Sequence, residues 1–246
     1  MRRRKFIKNI LIGSASIGIP GFYSLKRGEN VGRVDGNPIY LQNTKDGLTG
    51  KKKPNVLLIM TDDHRKDAIA AYGNSVIKTP TIDSLANDGV RFENCYCQAP
   101  SCSASRATIF TGRYPMAHGL WDNGVSLPEN EITISHIFAD NGYRTGGAGK
   151  FHFIPHLKME QPTMKNHPSP FYGFQEFHTA ENGGAGEYMN WLKQHHPKYV
   201  DKPHHAMPRE IHQDYWTASQ TIGFIRKCAK NEEPFFAFCS FVNPHA

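Results

Sequence analysis

At 246 residues, 39% of them apolar and 11% aromatic, the chain has room for one large domain with a buried site and lacks the composition of a disordered or low-complexity protein. Its formal charge of +7 is uneven: residues 1–53 carry 12 of the 29 Lys/Arg and 3 of the 22 Asp/Glu, leaving 17 and 19 for the rest. The leader is therefore +9 and the remainder −2, which removes the case for a nucleic acid as partner and assigns the basicity to targeting.

That leader opens Arg2-Arg3-Arg4-Lys5-Phe6-Ile7-Lys8 and passes into a small and apolar run that ends near Leu25. The pattern reads as a twin-arginine export signal over residues 1–25, with the export machinery as a partner and a periplasmic or extracellular destination. A membrane span wants roughly 18 or more apolar residues, and this run is shorter and holds Gly and Pro. No clear small-x-small cleavage site follows, so retention as an anchor stays open, as does a plain basic tail. Residues 26–53 lack periodicity and read as a linker.

Pro54–Met60 is a continuous apolar run, expected as a strand buried on both faces of a mainly parallel or mixed sheet. Thr81–Asn87 reads as a helix ended by Gly89, Val90–Tyr96 as a short strand, and Cys102–Thr111 as a helix. A helix over 133–141 stops at Gly142 and gives way to a strand over 143–148. Helices over 187–194 and 213–229 precede a buried strand over 235–242. Strands alternating with helices predict an α/β layered fold over 54–246. The segment from Pro155 to His212, rich in Pro, His and Gly, reads as a substrate-facing insertion.

Four segments carry candidate chemistry. Asp62 and Asp63 stand at the end of the first strand, where ligands gather in open α/β sheets, and paired carboxylates suit a hard cation. Read without the rest of the chain, such a pair caps a following helix about one time in three. Cys102 opens a helix, with Arg106 four residues on along the same face, and both features favour an anion beside residue 102. Lys150 and His152 follow a strand, and strand alternation would turn both to one side, toward one anion. His245 follows the last strand. Of five cysteines, Cys228 and Cys239 lie in apolar segments and read as core, while the odd total predicts at least one unpaired thiol. His64 and His118 lie near these segments without a catalytic reading, and the paired His195-His196 and His204-His205 show no trusted ligand spacing.

The run Cys102-Ser103-Ala104-Ser105-Arg106, continued by Thr111-Gly112-Arg113, resembles the sulfatase signature, in which the cysteine is oxidised to formylglycine. The resemblance extends from about Lys53 to the end of the chain, and it implies an alkaline-phosphatase-like fold and hydrolysis of sulfate esters on a small molecule or carbohydrate. By the same resemblance Asp62 and Asp63, with residue 102, would bind Ca²⁺ or Mg²⁺. Arg106 and Lys150 would offset sulfate charge, His245 would face the leaving group, and His152 would take a proton from the residue-102 hydrate.

Ala104 stands where the oxygen-dependent maturation route prefers Pro, which points to a radical maturase as partner. The family's later metal-binding element and second sulfate-contacting lysine have no candidate after His245. The expectation is therefore an incomplete, inactive catalytic portion with an unpaired sheet edge near Phe235–Val242 and a raised pKa on at least one of the two aspartates. Two alternatives stay open: a phosphonate monoester or phosphodiester hydrolase of the same superfamily, and a non-catalytic relative in which Cys95, Cys97 and Cys102 hold a metal through thiolates.

Overall fold

In the computed structural model the described residues are 33–34, 37–38, 53–155, 170–182, 186–202 and 206–245. The chain divides into two units, Met1–Lys53 and Pro54–Ala246. In the first, β1 (Arg33–Val34) and β2 (Asn37–Pro38) pair antiparallel within the expected linker. The expected signal over 1–25, and the rest of that linker up to residue 52, lie outside the described residues.

The second unit is built on four parallel strands. After β3 (Val56–Met60) come α1 (Pro80–Asp88), α2 (Cys102–Thr111), the short α3 (Pro115–His118) and α4 (Ile134–Asp140). Then follow β4 (Arg144–Gly149), β5 (Glu176–Thr179), α5 (Glu187–His195), α6 (Gln213–Lys230) and β6 (Phe235–Ser240). The sheet order is β3-β6-β4-β5, every pairing parallel. All four strands therefore point their carboxyl ends the same way.

Local chemistry explains the boundaries. Pro80 in the first turn starts α1, and Gly112, with φ 66°, ends α2 in the left-handed conformation that glycine adopts most easily. Thr133 caps α4 in a box with His136, whose Nδ1 accepts from the Thr133 amide at 3.1 Å. Strand β4 reads Arg-Thr-Gly-Gly-Ala-Gly, and its missing side chains have occupants. A Cβ on Gly146 would lie 2.4 Å from the Phe224 ring of α6, and one on Gly147 2.7 Å from Phe151 on the opposite face. The sheet is thus covered by α6 on one side and by an aromatic core on the other.

That core joins Phe110, Phe151, Phe153, Phe171, Phe174, Phe236 and Phe238, with Ala104 and Ala107 of α2 fully buried against it. Phe110 meets Phe153 and Phe238 edge-on at 5.1 and 4.9 Å between centroids. Such pairs contribute about 0.5–1.5 kcal/mol beyond the burial of each ring.

Four sequence expectations are corrected. Strand β3 is not buried on both faces: Leu57 and Ile59 are about half exposed while their neighbours are partly covered, because β3 is an edge strand with one packed face. Val90–Tyr96 forms no ladder, and Val90, Phe92 and Tyr96 are exposed there. Of the segment 155–212, the described part belongs to the sheet and core, supplying β5, α5 and the buried Tyr188, Leu192 and Ile211; residues 156–169, 183–185 and 203–205 lie outside the described ones. Finally, Phe235–Ser240 is no sheet edge. Strand β6 is paired on both sides and buried at every residue.

Candidate active site

The carboxyl ends of β3, β6 and β4 bring Asp62, Ser240 and Lys150 together, and α2 lays Arg106 across them. Asp62 is buried, its Oδ2 2.5 Å from Lys150 Nζ and its Oδ1 3.3 Å from Arg106 Nη2. Arg106 Nη1 donates to the Lys150 carbonyl at 2.6 Å and to Ser240 Oγ at 2.8 Å. Lys150 has no exposed surface and Arg106 almost none. Burial pushes the Asp62 carboxyl up, but the hydrogen bond from Lys150 and the charges of Arg106 and Lys150 outweigh it and hold the group below its ordinary range. The raised pKa expected from repulsion by Asp63 is therefore corrected for Asp62: two cations, not a neighbouring carboxylate, dominate its surroundings.

Asp63 turns away from this cluster. Its φ is 52°, its side chain is 65% exposed, and its Oδ2 lies 3.5 Å from His245 Nε2. His245 sits on the loop after β6, which is anchored by Asp214 of α6: Oδ1 accepts from the Val242 amide at 3.3 Å and Oδ2 from Asn243 Nδ2 at 2.7 Å. Neither aspartate caps a helix. The 3₁₀ turn that follows, Lys66–Ala68, begins from Arg65 without a side-chain cap.

Cys102, the first residue of α2, has its Sγ 3.1 Å from His152 Nδ1 and 3.3 Å from Asn123 Oδ1. His152 reaches it by a route other than strand alternation. Gly149 ends β4 at φ 100°, where a Cβ would lie 1.8 Å from the Ser240 carbonyl oxygen, and His152 itself adopts φ 54°. A non-glycine residue held there costs roughly 1–3 kcal/mol, so its surroundings must impose it. Lys150 thus meets Asp62 while His152 meets Cys102, through a turn that the pattern of side chains did not announce.

Two further residues were invisible in the sequence. Asn123, in the loop after α3, offers Oδ1 to Ser101 Oγ, Ser103 Oγ and the Ser103 amide at 2.7, 2.9 and 3.3 Å, so it caps α2 from a distance. Glu181, wholly buried, accepts from the amides of Phe151 and His152 at 2.7 and 3.0 Å. Burial raises its pKa, against the pull of the His152 amide and the Arg106 charge. Asp-Asn-Gly at 122–124 reads locally only as a turn, and nothing in the sequence marks a buried glutamate.

The remaining candidates lie apart. His118 is buried, its Nε2 3.1 Å from Thr108 Oγ1 and its Nδ1 accepting from the Leu120 amide at 3.2 Å, which is a structural role. All five cysteines are free thiols, with Cys95 and Cys97 exposed and Cys228 and Cys239 buried. Among the described residues no three His, Cys, Asp or Glu side chains converge as a metal cluster. Because both Asp62 oxygens are engaged by Lys150 and Arg106 while Asp63 faces His245, these residues alone do not fit Ca²⁺, which wants about six to eight oxygens. The thiolate-metal alternative also lacks a ligand set among the described residues, where Cys95, Cys97 and Cys102 form no such cluster.

A family model, Sulfatase, matches residues 54–246. The chain belongs to the sulfatase family. It is 33% identical to an arylsulfatase of Clostridium perfringens over 217 residues, which cover 79% of this chain and 44% of that protein. It is 30% identical to an N-acetylglucosamine-6-O-sulfatase of Bacteroides thetaiotaomicron, covering 79% and 31%. Among solved structures it resembles the phosphonate monoester hydrolase of Agrobacterium radiobacter, with TM-score 0.60, 27% identity, and 79% and 42% of the two chains covered. This sulfatase-family chain thus spans less than half the length of these relatives, and its parallel sheet flanked by helices is the alkaline-phosphatase-like architecture.

Proposed function

We propose that this chain carries the nucleophile and the acid–base groups of a sulfate-ester hydrolase. The observation that carries the reading is the Cys102 side chain set between His152 Nδ1 and Asn123 Oδ1 at a helix N-terminus, beside buried Arg106 and Lys150. Two polar partners around one side chain suit the oxidised form of residue 102, whose aldehyde hydrate bears two hydroxyls. That hydrate supplies an oxygen nucleophile and a route for expelling sulfate afterwards.

The chain's own residues would act as follows. Asn123 Oδ1 accepts one residue-102 hydroxyl and fixes its direction. His152 Nδ1 takes the proton from the other. Arg106 and Lys150 bring two positive charges to the floor of the site, partly offset by the ion-paired carboxylate of Asp62, and these favour an anionic ester. His245 protonates the leaving oxygen. A divalent cation, Ca²⁺ or Mg²⁺, would join Asp62 and Asp63 only if Lys150 released Asp62 and further donors completed its shell, so no step is routed through it.

A sulfated carbohydrate or aryl ester is the proposed substrate, in keeping with the N-acetylglucosamine-6-O-sulfatase and arylsulfatase relatives. Ala104 supports a radical maturase as the partner that modifies Cys102, and the Arg-rich leader supports export through the twin-arginine machinery. The test is co-expression with such a maturase, peptide mass spectrometry at residue 102, and comparison of aryl sulfate with aryl phosphonate turnover by a protein carrying this chain. An aldehyde at residue 102, with sulfate preferred and turnover cut about 100-fold or more by His152→Ala, is expected. A thiol that persists while a control sulfatase is matured would overturn the reading, and preference for phosphonate would move it to the phosphonate hydrolases that share this fold.

A further inference from the structure

Glu181 is a wholly buried carboxylate that the proposed chemistry does not use. One of its oxygens, Oε1, receives two successive amides, from Phe151 at 2.7 Å and His152 at 3.0 Å. Successive backbone N–H groups aimed at one point form a concavity for an anion, and here the chain fills it with its own carboxylate. The residue bearing the second amide is the one that adopts φ 54° and brings its imidazole to 3.1 Å from Cys102 Sγ.

Glu181 is itself held from both sides. The amide before it, that of Ala180, donates to the Gly149 carbonyl at 2.9 Å, tying the exit of β5 to the exit of β4. Gln213 Nε2, at the start of α6, donates to the Ala180 carbonyl at 2.9 Å and the Glu181 carbonyl at 3.3 Å. Three elements therefore fix the carboxylate, and the carboxylate fixes the 151–152 turn.

We propose that Glu181 is a positioning residue: by clamping the Phe151 and His152 amides it sets the His152 ring against the side chain of residue 102. In that role it acts through His152 rather than on substrate or reacting atoms. The inference rests on the role given to His152 above, yet it is testable without turnover. In the full chain produced without maturase, residue 102 is a thiol, and an imidazole that accepts its proton speeds its attack on an alkylating agent.

The experiment measures iodoacetamide alkylation at each cysteine by peptide mass spectrometry, with exposed Cys95 and Cys97 as internal references and buried Cys228 and Cys239 as reporters of unfolding. His152→Ala should slow Cys102 at least about tenfold relative to Cys95 and Cys97. Glu181→Ala should slow it by the same factor, and the double variant should be no slower than His152→Ala. Glu181→Gln, which keeps an acceptor oxygen, should stay within about twofold of the parent, since a carboxamide can still receive an amide N–H. Slowing in His152→Ala with none in Glu181→Ala, or factors that multiply in the double variant, would overturn the inference alone. An unchanged rate in His152→Ala would remove the His152–Cys102 contact itself, and with it both this inference and the base assigned above. Should Glu181→Ala expose Cys228 and Cys239, hydrogen exchange in the parent chain decides: the Phe151 and His152 amides should be protected like those of β4, and exchange at loop rates would overturn the clamp.

Discussion

Two stretches of this chain carry ion pairs at similar distances, in opposite surroundings. At the carboxyl end of the sheet, Asp62, Arg106, Lys150 and Glu181 are all buried. Between residues 63 and 98, by contrast, no residue is buried, α1 included, and the pairs Arg65–Asp67, Lys66–Glu93 and Arg91–Glu93 lie in water. The Lys150–Asp62 and Arg65–Asp67 distances are both 2.5 Å. Distance therefore says little about consequence. In the buried cluster each charge depends on its partner because water cannot replace it, whereas in the exposed stretch water competes for both. Strain does not follow the same division: left-handed His152 is held by a buried carboxylate, whereas Asp63, also left-handed, is exposed.

The largest expected effect comes from opening the buried cluster. Lys150→Met fills similar volume but leaves Asp62 with Arg106 as its only remaining cation among the contacts described, and should destabilise the fold by about 3–5 kcal/mol in urea titrations. Adding Asp62→Asn to Lys150→Met should restore part of that loss, because the uncompensated charge is what costs stability. Equal destabilisation by the single and the double variant would break the comparison, since the cost would then arise from packing.

How much of this was legible in the sequence follows from which signals are local. Helices α2, α4, α5 and α6 and strands β4 and β6 were readable because caps, glycines and apolar runs lie within each segment. Strand β5 was not, because Glu-Phe-His-Thr has no apolar run and is a strand only by pairing with β4. Val90–Tyr96 shows the converse: a strand-like composition that finds no ladder partner. Edge or interior position is likewise set by partners, so β3 and β6 looked alike as apolar runs and differ in the sheet. In the site, Cys102, Arg106, Lys150 and His152 announced themselves through a pattern of residues at fixed spacing. Asn123 and Glu181 did not, because each meets its partner 21 or 30 residues away in sequence as a single unpatterned side chain.

An intermediate case sharpens the comparison. His178, at the exposed edge β5, has its Nδ1 3.0 Å from Glu187 Oε2, with Glu176 Oε1 3.9 Å from the other ring nitrogen. The hydrogen bond that His178 donates to Glu187 raises the His178 pKa, partly opposed by burial and helped by the charges of Glu187 and Glu176. A raised folded-state value stabilises the fold fully below the unfolded value near 6.5, and that contribution is lost as pH rises through the folded value. Since Glu187 is half exposed, screening should keep the effect below about 1 kcal/mol. His178→Gln should therefore flatten the loss of stability between pH 6 and 8, as measured by melting at several pH values. A parent chain that gains stability over that range from this site would reverse the assigned sign.

The smallest effect is expected where the geometry looks strongest. Arg65 and Asp67 form a two-pronged pair, Nε to Oδ1 at 3.0 Å and Nη2 to Oδ2 at 2.5 Å, with side chains 78% and 65% exposed. Two residues apart on a short turn, they bridge no separate elements, so pairing restrains nothing that the backbone has not already brought together. Water and salt solvate both groups in the unpaired state, and holding two long side chains in one geometry costs rotamer freedom. Arg65→Ala should leave the melting temperature unchanged within error, at low salt and at 1 M salt alike. A clear drop at low salt that disappears at high salt would show that this exposed pair shares the energetics of the buried cluster, and burial would no longer be what separates the two regions.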